Sequence, residues 1–349
     1  MKKQKKIALY GAGGMCEWWL KNAKEYEVPV DIIIDANKSG ELMGIPIIKS
    51  DVFFGKESNY QDYKYILTTI DYVYTIGREL IERGIHKDDI YAPDRQMIIN
   101  GGGFHDFAYA QAYFTVLDMI INKQHYYNVY NKLQDVRSKK IFLAILRYRA
   151  FGTYDLDKDL YCRDASYFQN NFIRLGIDES LVDVGAYNGD SIIDFLIKTR
   201  HQYGKIYAIE GNENSCEKLK KKLYMEYEKG KLEVFHAGAG CKRETISYNG
   251  YRGGFGNEKL EIYAMDDLLK DKKVSLIKMD IEGMELDAIE GARKIITEQK
   301  PGLAICVYHL VRDIWEIQEK IMEMVPEYRF WLEQPVNVHM TETVLYASV

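Results

Sequence analysis

The 349-residue sequence has few cysteines, no long apolar run and no excess of positive charge. Its five cysteines (Cys16, Cys162, Cys216, Cys241 and Cys306) are scattered, and none forms a C-x-x-C pair. That spacing gives no sign of a disulfide framework or a zinc knuckle, and it fits a reducing cytoplasm. No run approaches the ~18 apolar residues of a membrane span, so stable membrane insertion is not expected. The lysines before Ile7 imitate the start of a secretory signal. The apolar stretch Ile7–Leu9, however, is only a strand long and enters a glycine turn, so secretion is not expected either. The net charge of −5 leaves no dense basic surface for phosphates, so nucleic acid is not an expected partner.

A chain this long exceeds one comfortable core, since cores stop growing near ~250–300 residues. Its 47% apolar and 28% charged residues describe a globular protein rather than a disordered one. Two segments share one rhythm of apolar strand, glycine turn, helix, and strand ending in an acid. The first runs Ile7–Tyr10, Gly11-Ala12-Gly13-Gly14, a helix through Trp18 and Lys24, then Val30–Ile34 ending at Asp35. The second runs Leu181–Val184, Gly185-Ala186-Tyr187-Asn188-Gly189, a helix near Ser191–Lys198, then Ile206–Ile209 ending at Glu210. Both read as the opening βαβ of a doubly wound sheet.

Between them, Tyr109 to Phe151 contains no glycine and many helix formers, with Asp135 or Ser138 as a helix cap. The segment reads as a helical connector, and Gly101-Gly102-Gly103 reads as a hinge. After Glu210 the pattern predicts strands at Leu232–His236, Ser275–Met279 and Leu303–Tyr308. It predicts one helix over Met284–Glu298 and another through Ile314–Met324. A final antiparallel pair is expected at Tyr328–Leu332 and Thr343–Tyr346. Working boundaries are 1–98, 99–160 and 161–349.

Three constellations carry chemistry. The turn at Gly185–Gly189 lacks G-x-G-x-x-G spacing but permits close backbone approach, and the helix after it offers free N–H groups. Asp183 can hold that turn or receive an ammonium, and Glu210, 25 positions after Gly185, can accept from two ribose hydroxyls. Lys278-Met-Asp-Ile-Glu-Gly-Met-Glu285 crowds carboxylates at a strand's C-terminal end, where ligands bind in open α/β sheets. One of them can serve as a base. Tyr308-His309 follows the next strand, and an ordinary histidine suits base work near neutrality. Asp280, Glu282 and His309 are metal-ligand types, but no tight ligand spacing supports a metal, and none is expected.

These residues resemble the FkbM-type methyltransferases. Leu181-Val-Asp-Val-Gly-Ala-Tyr-Asn-Gly-Asp-Ser191 is similar to their first motif, and Ile277-Lys-Met-Asp-Ile-Glu-Gly-Met-Glu285 to the more specific strand-four motif. Ala304-Ile-Cys-Val-Tyr-His309, Glu342-Thr-Val-Leu-Tyr346 and Ser166-Tyr167-Phe168 match further elements, so the likeness spans about Asn131 to Val349. One departure is Gly211-Asn212 after Glu210, where many relatives have Pro-Asn. The resemblance implies an α/β class I methyltransferase sheet of seven strands with an antiparallel last pair. It implies S-adenosylmethionine as donor and, usually, O-methylation of a sugar or a polyketide-type small molecule. The first reading is a sugar or nucleotide sugar as acceptor, and a homodimer is admissible. The donor site would take in Asp183, Gly185, Ala186, Tyr187, Asn188, Gly189, Glu210, Gly211, Asn212, Ala237, Gly238 and Asp280. Asp280, Glu282 and His309 would lie nearest the acceptor.

The N-terminal turn lacks the third fingerprint glycine, and Cys16 stands where a dinucleotide site prefers glycine. With Gly44-Ile45-Pro46-Ile47, residues 5 to 95 resemble the small Rossmann-like front domain of sugar acyltransferases, either binding a ligand or purely structural. The competing readings are an NAD(P)-linked sugar oxidoreductase and a non-catalytic glycan-pathway binding protein. Loop Ser247–Asn257, with Tyr248, Tyr251 and Phe255 among four glycines, is a candidate acceptor wall.

Overall fold

The computed structural model describes residues 5–55, 60–69, 72–92, 105–106, 108–151, 167–168, 172–248, 258–334 and 343–349. The hinge candidate Gly101–Gly103, Ser166, and most of loop Ser247–Asn257 lie outside them. The chain divides into two compact units, Met1–Asn122 with Ile145–Asp155, and Lys123–Ala144 with Leu156–Val349. Among the described residues, no helix is long and apolar enough to cross a membrane.

The first unit holds β1 (Lys6–Tyr10), β2 (Ile32–Asp35), β3 (Gly40–Leu42), β4 (Ile45–Lys49), β5 (Tyr63–Leu67), β6 (Ile90–Ala92) and β7 (His105–Asp106). They form one sheet in the order β3-β4-β2-β1-β5-β6-β7. All neighbours pair in parallel except β3, which hairpins onto β4 through Met43 and Gly44, both at positive φ, as a two-residue hairpin requires.

The second unit carries β8 (Leu181–Val184), β9 (Ile206–Glu210), β10 (Leu232–His236), β11 (Gly238–Ala239), β12 (Glu244–Tyr248), β13 (Glu258–Tyr263), β14 (Leu276–Met279), β15 (Gly302–Cys306), β16 (Arg329–Glu333) and β17 (Val344–Ser348). Its main sheet has seven strands in the order β10-β9-β8-β14-β15-β17-β16. The closing pair is antiparallel within itself because β17 alone is reversed, against both β15 and β16. Every residue of β8, β9 and β14 is buried, as expected of parallel strands covered on both faces. The strand order reverses between β8 and β14. In open α/β sheets such a switch point, beyond the C-terminal ends of the strands, is where ligands bind.

The structure corrects the sequence reading in one place and adds to it in two. The single helix expected over Met284–Glu298 is two, Glu285–Glu290 and Arg293–Gln299. They break at Gly291, where a Cβ would fall 1.9 Å from the Gly240 carbonyl oxygen. The Asp266 carboxylate then receives the Lys294 and Ile295 amides, a cap no local pattern announces. A small sheet, β11-β13-β12, was not foreseen. The connector contains three helices, Ala108–Ile121, Lys123–Lys132 and Val136–Phe151. Of the two cap candidates, Asp135 receives the Ser138 amide at 2.6 Å, while Ser138 Oγ instead receives the Leu332 amide of β16.

Candidate active site

The glycine turn leaves the end of β8 with Gly185, Tyr187 and Gly189 all at positive φ. Gly185 cannot carry a side chain, because a Cβ there would sit 1.9 Å from the Asp280 carbonyl oxygen. The turn therefore lies directly against the end of β14. Gly189 ends the turn in the left-handed region and caps the helix Asp190–Lys198, with its Cα against Leu219 and Leu223. Two amides of that helix's first turn are already received by side chains, Asp190 N by Asn188 and Ser191 N by Asp190. Tyr187 is exposed, and Ala186 is buried.

Glu210, at the end of β9, is almost fully buried. Its two carboxylate oxygens receive the amides of Tyr187 and Asn212, both at 2.7 Å. Asn212 in turn caps the next helix through Ser215 N. The Glu210 carbonyl receives the Ala237 amide, and the Gly211 carbonyl lies 3.0 Å from His236 Nε2. Gly238 opens β11. Turn, acid and neighbouring corner thus form one connected structure around the end of β9.

Asp183 is fully buried inside β8. Ser191 Oγ donates to its Oδ2 at 2.5 Å, and Lys278 Nζ lies 3.1 Å from its Oδ1. Lys278 was not singled out by sequence, yet it is the hub of the switch point. Its ammonium also donates to the Gly185 carbonyl at 2.9 Å and stands 5.2 Å from the centre of the Tyr167 ring. Burial works against the charge, but Asp183 and then Asp280 outweigh it and hold Lys278 above its usual range. The only available signal was a lysine inside an otherwise apolar strand.

Asp280 is half-buried at the end of β14. It receives the hydroxyls of Tyr167 at 3.2 Å and Tyr308 at 3.1 Å. His309 joins it from the segment after β15, with Nε2 3.3 Å from Asp280 Oδ1 and 3.8 Å from Glu282 Oε2. On its other side, His309 Nδ1 lies 2.9 Å from Oε1 of Glu285, a carboxylate with no exposure that also receives the Ile281 amide. Burial disfavours the imidazolium, but Glu285, Asp280 and Glu282 outweigh it and push His309 up to about 9. Glu282 is exposed and held at positive φ, just before Gly283. Burial and the neighbouring acids push the Tyr308 hydroxyl up, so it serves as a donor. The structure thus brings Asp280, Glu282 and His309 together and adds Glu285, Tyr167 and Tyr308.

The N-terminal unit repeats the acid-and-turn arrangement. Asp35 receives the Ala12 amide at 2.8 Å with one oxygen and the Asn37 and Lys38 amides with the other. Lys38 Nζ donates to the Ala12 carbonyl. Cys16 is fully buried behind this turn, and burial pushes its thiol up to about 12.

The sheet order, the switch point and the paired constellations define a methyltransferase-type α/β unit. Residues 183–334 match the family model of the methyltransferase FkbM domain, so the second unit carries an FkbM methyltransferase domain. The crystal structure of methyltransferase FkbM from Methylobacillus flagellatus shares the fold at 23% identity and a TM-score of 0.63. The match covers 99% of this chain and 90% of that one. An rRNA methylase from Streptococcus thermophilus matches at 17% identity and a TM-score of 0.34, over 50% of this chain and 88% of that one. Fibrillarin from Aeropyrum pernix with bound S-adenosyl-L-methionine matches at 9% identity and 0.33, over 50% and 69%. No curated protein matches the chain.

Proposed function

We propose that the second unit is an S-adenosylmethionine-dependent O-methyltransferase acting on a hydroxyl of a sugar, nucleotide sugar or other glycan-type small molecule. The observation that carries this reading is the contact between the two constellations. The Gly185 turn touches the Asp280 backbone so closely that no Cβ fits, which sets a donor-type turn beside a carboxylate–histidine cluster.

The residues fit the donor. Each Glu210 oxygen spends one lone pair on a backbone amide, which leaves acceptor capacity on both for ribose hydroxyls. The turn at 185–189, the corner Glu210–Asn212 and the segment Ala237–Gly238 hold it, while Asp183 acts through Ser191 and Lys278. When bound, S-adenosylmethionine supplies a sulfonium methyl that goes to the acceptor oxygen while the C–S electron pair returns to sulfur. The protein's task is then alignment and proton removal. Tyr167 and Tyr308 fix the Asp280 carboxylate, and His309 positions Asp280 and Glu282. The acceptor's hydroxyl proton passes to that carboxylate pair and on to water.

Isothermal titration of the full chain with S-adenosylhomocysteine tests the donor half, with saturable micromolar binding expected. Incubation with S-adenosylmethionine and a panel of sugars and nucleotide sugars, read by mass spectrometry, tests the acceptor half. Absence of donor-product binding sinks the reading as a whole, and methylation confined to non-hydroxyl acceptors sinks O-transfer.

A further inference from the structure

Three carboxylates and one imidazole gather beyond the ends of β14 and β15. Asp280, Glu282 and Glu285 all lie within 3.8 Å of the single His309 ring. The Lys278 ammonium is engaged at 3.1 Å by Asp183, a fourth carboxylate. Asp280, Glu285 and His309 each offer one ligand atom, and those atoms lie within 4.8 Å of one another. The 4.8 Å limit is the separation of opposed ligands at about 2.4 Å from one ion, and an ion held at about 2.1 Å draws them to within about 4.2 Å.

An independent observation points the same way. The second oxygen of Glu285, Oε2, is buried without a hydrogen-bond partner among the described residues. A buried carboxylate oxygen left unanswered is costly, and native structures rarely keep one without an ion, a water or a donor to meet it. Its sister oxygen receives the Ile281 amide and lies 2.9 Å from His309 Nδ1. Two carboxylates and an imidazole are also a mixed oxygen–nitrogen donor set suited to a divalent cation.

We propose that Asp280, Glu285 and His309 bind a divalent cation of the Mg²⁺ or Mn²⁺ class, with Glu282 at its exposed rim. The site rests on the methyltransferase reading for its purpose. A cation here takes its remaining ligands from water and from oxygens of the acceptor, preferably two adjacent hydroxyls. It orients the acceptor and makes its hydroxyl easier to deprotonate. Acceptors bearing vicinal hydroxyls or a hydroxyl beside a carboxylate are then preferred over isolated alcohols.

The experiment uses the full chain stripped with EDTA and titrated with Mn²⁺, with free ion followed by electron paramagnetic resonance. One Mn²⁺ per chain is expected, displaceable by Mg²⁺. Asp280→Asn and His309→Asn should each weaken it roughly tenfold or more. Glu285→Gln provides a third probe, and circular dichroism selects the variants that remain folded. No stoichiometric Mn²⁺ binding, or binding untouched in every folded variant, overturns the proposal. S-adenosylhomocysteine titration in EDTA separates the two readings. Donor-product binding without Mn²⁺ binding removes the cation and leaves the methyltransferase, whereas loss of donor-product binding strikes the methyltransferase itself.

Discussion

Asp35 and Glu210 solve the same problem at the scale of single residues. Each ends the second strand of its unit, and each receives a backbone amide from the preceding glycine turn, Ala12 and Tyr187 respectively. In both cases 23 positions separate donor and acceptor. The strand-end acid therefore latches the turn before any ligand is considered, and the rhythm of strand, turn, helix and acid was legible for that reason. Lys278 was not legible, because its place in an apolar strand does not by itself name the partner that holds it there. Its partner Asp183 stands 95 positions earlier, on a strand paired to its own. Lys278→Met should destabilise the second unit by about 3–5 kcal/mol, since it strands a fully buried carboxylate. Urea unfolding measures this, and Asp183→Asn combined with Lys278→Met should cost less than the two single changes summed. A Lys278→Met chain as stable as the parent would show the pair to be dispensable.

At the scale of elements, the strands β8, β10 and the helix Asp313–Met324 could be read from apolar periodicity alone, because burial on one or both faces imposes it. What escaped was set by distant backbone. Gly291, at the helix break, abuts the Gly240 carbonyl on another segment, and the small β11-β13-β12 sheet joins strands across a glycine-rich loop. Gly185 and Gly189 illustrate how the same residue type fails differently. Both have positive φ, so alanine at either carries strain of roughly 1–3 kcal/mol. At Gly185 the obstacle is backbone at 1.9 Å, which cannot yield, whereas at Gly189 it is the Leu223 and Leu219 side chains at 3.3 Å and beyond. Gly185→Ala should therefore displace the end of β14 and abolish S-adenosylhomocysteine binding, while Gly189→Ala should only weaken it. Calorimetric titration of both variants checks the ranking. Equal affinities would mean that the contact with Asp280 does not shape the donor site.

For the whole molecule, the open issue is what completes the second unit's core. Its edge strand β16 would present unpaired backbone to solvent if the sheet ended there. Lys123–Ala144 covers it. Gln134 N donates to the Phe330 carbonyl, Leu332 N donates to Ser138 Oγ, and Arg137 grips both Glu333 oxygens at 2.8 and 3.0 Å. The preceding helix sets His125 4.5 Å from the Trp315 ring and 2.6 Å from Glu319. None of these contacts could be read from the segment's own composition, which shows only helix formers, because their partners lie nearly 200 residues later. A fragment spanning 123–349 should thus be monomeric and unfold in one transition. A fragment spanning 156–349 should aggregate or lose cooperativity, as an uncovered edge invites pairing between copies. Size-exclusion chromatography and thermal unfolding of the two fragments decide the matter. If the shorter fragment is equally soluble and equally stable, the segment is only a tether and the sheet is complete without it.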